Sequence, residues 1–300
     1  MNKVLVVAGI TGVGKSAFGV KLAKLFNGEI ISGDSVAVYK ELSIGSAKIK
    51  PEEMEGVIHH GIDILTLNET FNVRDFQKYG RSKIDEIISR GKLPIIVGGT
   101  GLYIRALLYD YVFQEEQNID DSWMDALSNE ELHIELSKKD PIQAEIIHQN
   151  NRKRVIRALN IAMSNQKNKT ELLNEQAHEL IYDAMVMSCT MPREILYDRL
   201  NLRVEAMMDT GLLEEIKNAI SIAGWDHPVM LAIGYKEFRG YFDGVMSLAE
   251  AVALVQRNTR RFAKRQITWF KHQMSCRWVD MSNQTDVNQV IEEVKIWMNH

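Results

Sequence analysis

Lys3 to Ala8 (KVLVVA) is a short, continuous, β-branched run, the pattern of a strand buried on both faces of a parallel sheet. From Lys15 to Phe26 the apolar positions Ala17, Val20, Leu22, Ala23 and Leu25 fall at helical spacing. Glu29 to Gly33 predicts a second strand, ending at Asp34. Phe76, Tyr79, Ile84, Ile87 and Ile88 give Val73 to Ser89 a helical period, which Gly91 closes. Leu93 to Val97 predicts a third strand, followed by GGTG. Strands alternating with helices predict an α/β protein with a parallel sheet flanked by helices.

The pattern changes after about Asp110. Between Glu115 and Asp140 stand nine acids and two lysines, with no strand-like run. That predicts a helical insertion with an acidic surface. Ala184 to Thr190 (AMVMSCT) restores strand character, and Arg193 to Ile220 reads as helix broken near Gly211. Leu248 to His272 predicts a long helix, Trp278 to Met281 a last short strand, and Val287 to Met298 a closing helix. No internal repeat or low-complexity tract interrupts this order.

Composition narrows the class. The 300 residues are 45% hydrophobic and 25% charged, ordinary for a soluble globular protein. No apolar run is long enough to span a bilayer, and Val4 to Ala8 is too short for a signal segment. A cytoplasmic protein without a membrane partner is expected. Cys189 and Cys276 fit a reducing compartment and have no metal-like spacing. His59 and His60 lack a third ligand and are expected to make structural hydrogen bonds near the sheet edge. Met185, Met187 and Met191 are expected to pack. Nothing in the sequence argues for oligomerisation, so a monomer is expected. The net charge of −4 does not by itself imply a nucleic-acid partner, so any basic surface must be local.

The stretch GITGVGKS, Gly9 to Ser16, supplies the first chemistry. G-x-x-x-x-G-K-S between a strand and a helix is the phosphate loop of nucleotide- and ATP-binding proteins. Its glycines let backbone N–H groups surround a phosphate, and the following helix presents its positive end. Gly9, Thr11, Gly12, Val13, Gly14, Lys15 and Ser16 are the expected phosphate-binding residues. Lys15 adds a charge, and the Ser16 hydroxyl can ligate Mg²⁺. The fold class is therefore P-loop NTPase-like. Residues 1–112 and 183–300 form the expected core, and 113–182 the smaller helical insertion domain. Kinases and NTPases add a metal-holding acid on a second strand. Here LPIIVGG ends in glycines, and only Asp34 offers a carboxylate near the loop.

Three further stretches accompany GITGVGKS in order: ISGDSVAVY (Ile31 to Tyr39) with IGSAK (Ile44 to Lys48), VGGTGLYIRALL (Val97 to Leu108) and RRFAKRQITWF (Arg260 to Phe270). Together they resemble the tRNA dimethylallyltransferase family, also called tRNA isopentenyltransferases. Weaker echoes are HHGIDIL, RKRVIRALN, LYDRLNLRVEAM, GLLEEI and AIGYKE, so the resemblance runs from about Val4 to Phe270. It implies transfer of a dimethylallyl group from dimethylallyl diphosphate to the exocyclic amine of the adenosine 3′ of the anticodon. The phosphate loop would then cradle a leaving group, with Mg²⁺ as cofactor. Asp34 would accept the amine proton, although a strand-end acid of this kind also caps turns. Thr100 would touch the acceptor or the diphosphate, and can equally be a helix N-cap. Arg203 would bind the diphosphate, with Arg199 one turn earlier, or be an exposed helix arginine. Ser35, Val36 and Ala37, beside Asp34, would meet the tRNA. Departures from the family pattern are Ala37 for a common glutamine, Ser43, Ser46 and Ile49 around IGSAK, and HQNN (His148 to Asn151) for H-P-N-D.

Arg257, Arg260, Arg261, Lys264, Arg265 and Lys271 fall within an arc of about 140° on the long helix. Val255, Phe262 and Trp269 cluster beside that arc. Arg260, Lys264 and Arg265 are the expected tRNA contacts there, with Arg154 and Arg157 from a second patch that includes Arg152 and Lys153. The acidic stretch is expected to face away from RNA. A small-metabolite kinase would explain the phosphate loop but not the basic helix. An RNA-binding module with a vestigial loop and a prenyltransferase acting on free adenine nucleotides are the other readings.

Overall fold

A computed structural model describes residues 1–113, 120–164, 168–174 and 179–300. Glu115, Glu116 and Ile119 of the acidic stretch lie outside the described residues. Six strands form one sheet: β1 (Lys3–Gly9), β2 (Gly28–Ser32), β3 (His59–His60), β4 (Leu93–Val97), β5 (Asp183–Thr190) and β6 (Arg277–Asp280). Their order is β3-β2-β4-β1-β5-β6, and every pairing is parallel. The helices are α1 (Lys15–Leu25), α2 (Val73–Ser89), α3 (Gly101–Leu108), α4 (Asn129–Lys139), α5 (Pro141–Ile146), α6 (Arg152–Ser164), α7 (Lys169–Asn174), α8 (Arg193–Asp209), α9 (Leu212–Ala223), α10 (Arg239–Phe242), α11 (Leu248–Gln273) and α12 (Gln284–Asn299).

The unbroken apolar run of β1 is explained by burial on both faces. Leu5 and Val7 pack with α1 and α12 residues such as Leu22, Val290 and Val294. Val4, Val6 and Ala8 pack on the other face with Phe76, Ile104 and Phe270, from α2, α3 and α11. The sheet edge at β3 was not legible as a strand, because it is only two residues long. His60 Nε2 there meets Glu29 at 2.7 Å, and His59 Nδ1 meets the Val57 carbonyl at 2.9 Å. Among the described residues no His, Cys, Asp or Glu cluster suited to a metal is present.

Glu29 is 1% exposed and is met by His60, Arg90 and Lys92. Burial pushes its carboxyl up, but the three donors outweigh that and hold it at about 2. A depressed carboxyl stabilises above its unfolded value and loses that contribution as pH falls through the folded one. Glu29→Gln is therefore expected to cost roughly 2–3 kcal/mol near neutral pH. Urea melts should show the gap from wild type closing between the ordinary glutamate range and about pH 2.

Two compact units divide the chain, one of Met1–Tyr109 with Leu180–His300 and one of Asp110–Glu179. The second unit is helical around Met124, Leu132, Leu136, Val155 and Leu159. Ser128 and Glu131 close a capping box on α4, and Glu130 is exposed beside them. Arg152 does not project from this unit as the basic-patch reading had it. Its guanidinium donates to the Leu127 and Met124 carbonyls at 2.7 and 2.6 Å. Arg154 and Arg157 are exposed. Among the described residues no helix is long and apolar enough to cross a membrane.

Candidate active site

The parallel register brings the C-terminal ends of β1, β2, β4 and β5 to one edge of the sheet. Gly9 lies beside Cys189, and Val97 pairs with both Val7 and Ser32. The chain leaves β1 through α1 on one face of the sheet and leaves β4 through α3 on the other. Such divergence opens a crevice, the usual ligand site of an open α/β sheet. A cavity of about 1300 Å³ lies there, and Thr11, Gly12, Gly14, Lys15, Ser16, Asp34, Ser35, Val36, Ala37, Thr100, Arg199, Arg203 and Arg265 all line it.

The phosphate loop is shaped by its glycines. Gly12 and Gly14 have φ of 84° and 92°, a left-handed conformation that a side chain would strain. The Lys15 ammonium donates to the Ile10 carbonyl at 2.6 Å. Burial, with Arg203 nearby, lowers its pKa to about 8 against the pull of Cys189 and Asp34. An anion in the loop would restore its full charge. Gly9 and Val13 do not line the cavity. A Cβ on Gly9 would sit 2.3 Å from the Cys189 carbonyl oxygen, so this glycine lets β1 and β5 close up. Val13 is 2% exposed, with its side chain in the core.

Asp34 follows β2 and is partly buried. Its Oδ1 accepts the N–H groups of Val36 and Ala37 at 2.8 and 3.3 Å. The turn-capping role and the cavity position therefore coexist. Among the described residues both of these bonds go to Oδ1, which leaves Oδ2 as the unused acceptor. Thr100 occupies the N-cap position of α3, yet its side chain makes no capping bond. Its backbone N–H donates to the Gly33 carbonyl at 3.3 Å, so the loops after β2 and β4 are tied together. A Cβ on Gly98 would lie 2.3 Å from that same Gly33 oxygen. Gly98→Ala is expected to part the two loops and lower turnover about 100-fold, since displacements near 1 Å cost that much. Steady-state kinetics on the folded variant checks this.

Arg203, on α8, has its pKa lowered by burial against the opposing pull of Asp34. Among the described residues its guanidinium makes no hydrogen bond or ion pair, and Arg199 beside it is exposed. Arg203 is half-buried and lines the cavity, where a cation without a protein partner would be stabilised by an anion.

Of the basic helix, Lys264 and Arg265 are exposed and line a second groove of about 460 Å³ with Trp269 and His272. Arg260 is turned to a packing role: it donates to Asn201 Oδ1 at 2.5 Å and lies 5.9 Å from the Tyr197 ring.

Sequence reasoning missed a junction behind the cavity. Glu215 accepts the backbone N–H groups of Ser43, Ile44 and Gly45 at 2.7, 2.7 and 2.8 Å, and the Tyr235 hydroxyl at 2.9 Å. One carboxylate thereby shapes the loop whose Gly45, Ser46, Ala47 and Lys48 line the cavity. The stretches GLLEEI, AIGYKE and IGSAK meet at this point. Their co-occurrence was the available signal, though no spacing rule joins them.

The family described as IPP transferase matches residues 37–273. A tRNA dimethylallyltransferase of Anoxybacillus flavithermus is 48% identical over 98% of this chain and 95% of its own length. That of Bacillus subtilis is 47% identical over 97% and 95%. The crystal structure of the tRNA isopentenylpyrophosphate transferase of Bacillus halodurans matches with TM-score 0.77 at 39% identity, covering 100% of this chain and 97% of that one. A structure of a eukaryotic dimethylallyltransferase acting on tRNA matches with TM-score 0.84 at 31% identity, covering 98% and 78%. On the site geometry and these matches, the chain belongs to the tRNA dimethylallyltransferase family, the tRNA isopentenyltransferases.

Proposed function

We propose that this enzyme transfers a dimethylallyl group from dimethylallyl diphosphate to the exocyclic amine of the adenosine 3′ to the anticodon in tRNA, releasing diphosphate. The observation that carries the reading is the shared cavity. A phosphate loop, an unpaired arginine and a carboxylate with one unused oxygen face the same space.

The allylic C–O bond breaks and its electrons leave with the diphosphate. Backbone N–H groups of residues 12–16, Lys15 and Arg203 stabilise the departing charge. The adenine nitrogen bonds to the allylic carbon and gives its proton to Asp34 Oδ2. An amine lone pair delocalised into the ring is a poor nucleophile, so removing that proton as the bond forms is what makes attack feasible. Thr100, free of capping duty, contacts the acceptor nucleotide or the diphosphate. Ser35, Val36 and Ala37 line the acceptor's approach. The target base must leave its stack to reach Asp34. Lys264 and Arg265, and Arg154 and Arg157 on the insertion unit, are exposed cations that would meet the tRNA backbone.

Mg²⁺ fits this donor set. Ser16 lines the cavity, and its hydroxyl is the side-chain oxygen that the loop would offer the ion. An ion held mainly by substrate oxygens and water is the usual magnesium arrangement. Bound there, it would neutralise diphosphate charge. A tRNA acceptor implies the cytoplasm.

Incubation with labelled dimethylallyl diphosphate and tRNA is expected to put the label on adenosine, read by mass spectrometry of nucleosides. Phosphate moved from labelled ATP to a small metabolite, with no prenylated nucleoside, would overturn the proposal in favour of a kinase.

A further inference from the structure

The packed face of α11 carries one buried amide. Counted at about 100° per residue, Gln266 lies about 180° from Arg257 and outside the basic arc. It is 6% exposed. Its Oε1 accepts the Thr11 N–H at 3.0 Å, and its Nε2 donates to the Gly99 carbonyl at 2.9 Å. The loops after β1 and β4 are therefore joined through a single side chain. The place needs a donor and an acceptor on one planar group, which among neutral side chains of this length only glutamine provides.

The Thr11 N–H belongs to the same peptide unit as the Ile10 carbonyl, which receives Lys15 Nζ at 2.6 Å. In a trans peptide these two groups point in opposite directions. Gln266 on one side and Lys15 on the other thus fix one peptide plane at the mouth of the phosphate loop. Without Gln266 that plane can rotate, freeing Lys15. The other end of the amide holds Gly99, next to Thr100. A Cβ on Gly99 would fall 2.5 Å from Gln266 Nε2, so the amide and the loop are in close contact.

We infer that Gln266 is a positioning residue for prenyl transfer: through the Ile10–Thr11 peptide and the Gly99 carbonyl it holds Lys15 and Thr100 in one register. This rests on the function proposed above, so the test includes a readout that does not need prenyl transfer. Gln266→Met keeps length and burial but makes neither bond. It is expected to raise the Kd for inorganic diphosphate, measured by calorimetry, about tenfold, and to lower kcat by about tenfold or more. The KM for tRNA should hold at the wild-type value. A merely structural residue would lower Tm and move the constants for both substrates together. Gly99→Ala, which pushes on the same amide, should reproduce these changes. The double variant should be no worse than the poorer single one, because both act through one contact. Wild-type diphosphate affinity in Gln266→Met, or additive losses in the double variant, would overturn the inference. Absence of prenyl transfer in the wild type would instead strike the function reading, and the diphosphate titration separates the two.

Discussion

Asp34→Asn is expected to lower kcat about 10²- to 10⁴-fold, the range for loss of a positioned general base, while tRNA affinity stays at the wild-type level. The substitution is clean for a structural reason. The Val36 and Ala37 N–H groups bond to Oδ1 of Asp34, and an asparagine keeps a carbonyl oxygen able to accept both. The turn therefore survives. What disappears is the second oxygen as a proton acceptor, since an amide nitrogen cannot take the proton from the adenine amine. Single-turnover kinetics at saturating donor and tRNA isolates the chemical step, and filter binding reads the affinity. Undiminished turnover in this variant would remove the carboxylate from the mechanism and leave the cavity as a binding site only. Loss of tRNA binding in step with turnover would mean that Asp34 acts by shaping the acceptor loop.

What the sequence disclosed and what it hid follow from the range of the interactions. β1, the phosphate loop and α1 are contiguous, and a local pattern carries all the physics of that unit. Asp34 and Thr100 were legible because each ends a strand, and parallel strands deliver their ends to one edge. Periodicity, however, assigns a residue to a face without naming what faces it. Gln266 bonds to Thr11 across 255 positions, and Glu215 reaches Ser43 across 172. No pattern on one helix encodes such a partner. The hint at Gln266 was a polar residue outside the basic arc, on the side where Ala263 and Phe270 pack. The same limit explains Arg152 and Arg260. A run of basic residues reads from sequence as solvent-facing, but each of these guanidinium groups finds a carbonyl or amide oxygen in the fold. β3 was missed for a different reason: two residues are too few for a period to register.

Arg203→Met is expected to separate stability from activity in opposite directions. Among the described residues the guanidinium has no partner, and burial pushes its pKa down. Holding a half-buried cation without a protein partner costs folding free energy, and an anion in the cavity would offset it. A methionine of similar length removes the desolvation cost and fills the same space, so Tm should equal or exceed that of the wild type. The anion loses one of its stabilising charges at the moment it leaves. Removing a single donor from a preorganised anion site typically costs about 10² to 10³ in kcat. Added diphosphate should also raise the Tm of the variant less than that of the wild type, because the binding that stabilises the folded state is weaker. Differential scanning calorimetry with and without diphosphate, beside steady-state rates, reads all three quantities. A variant that melts well below the wild type would show that Arg203 holds the fold together through contacts its position does not display. An unchanged diphosphate shift would place the anion elsewhere in the cavity.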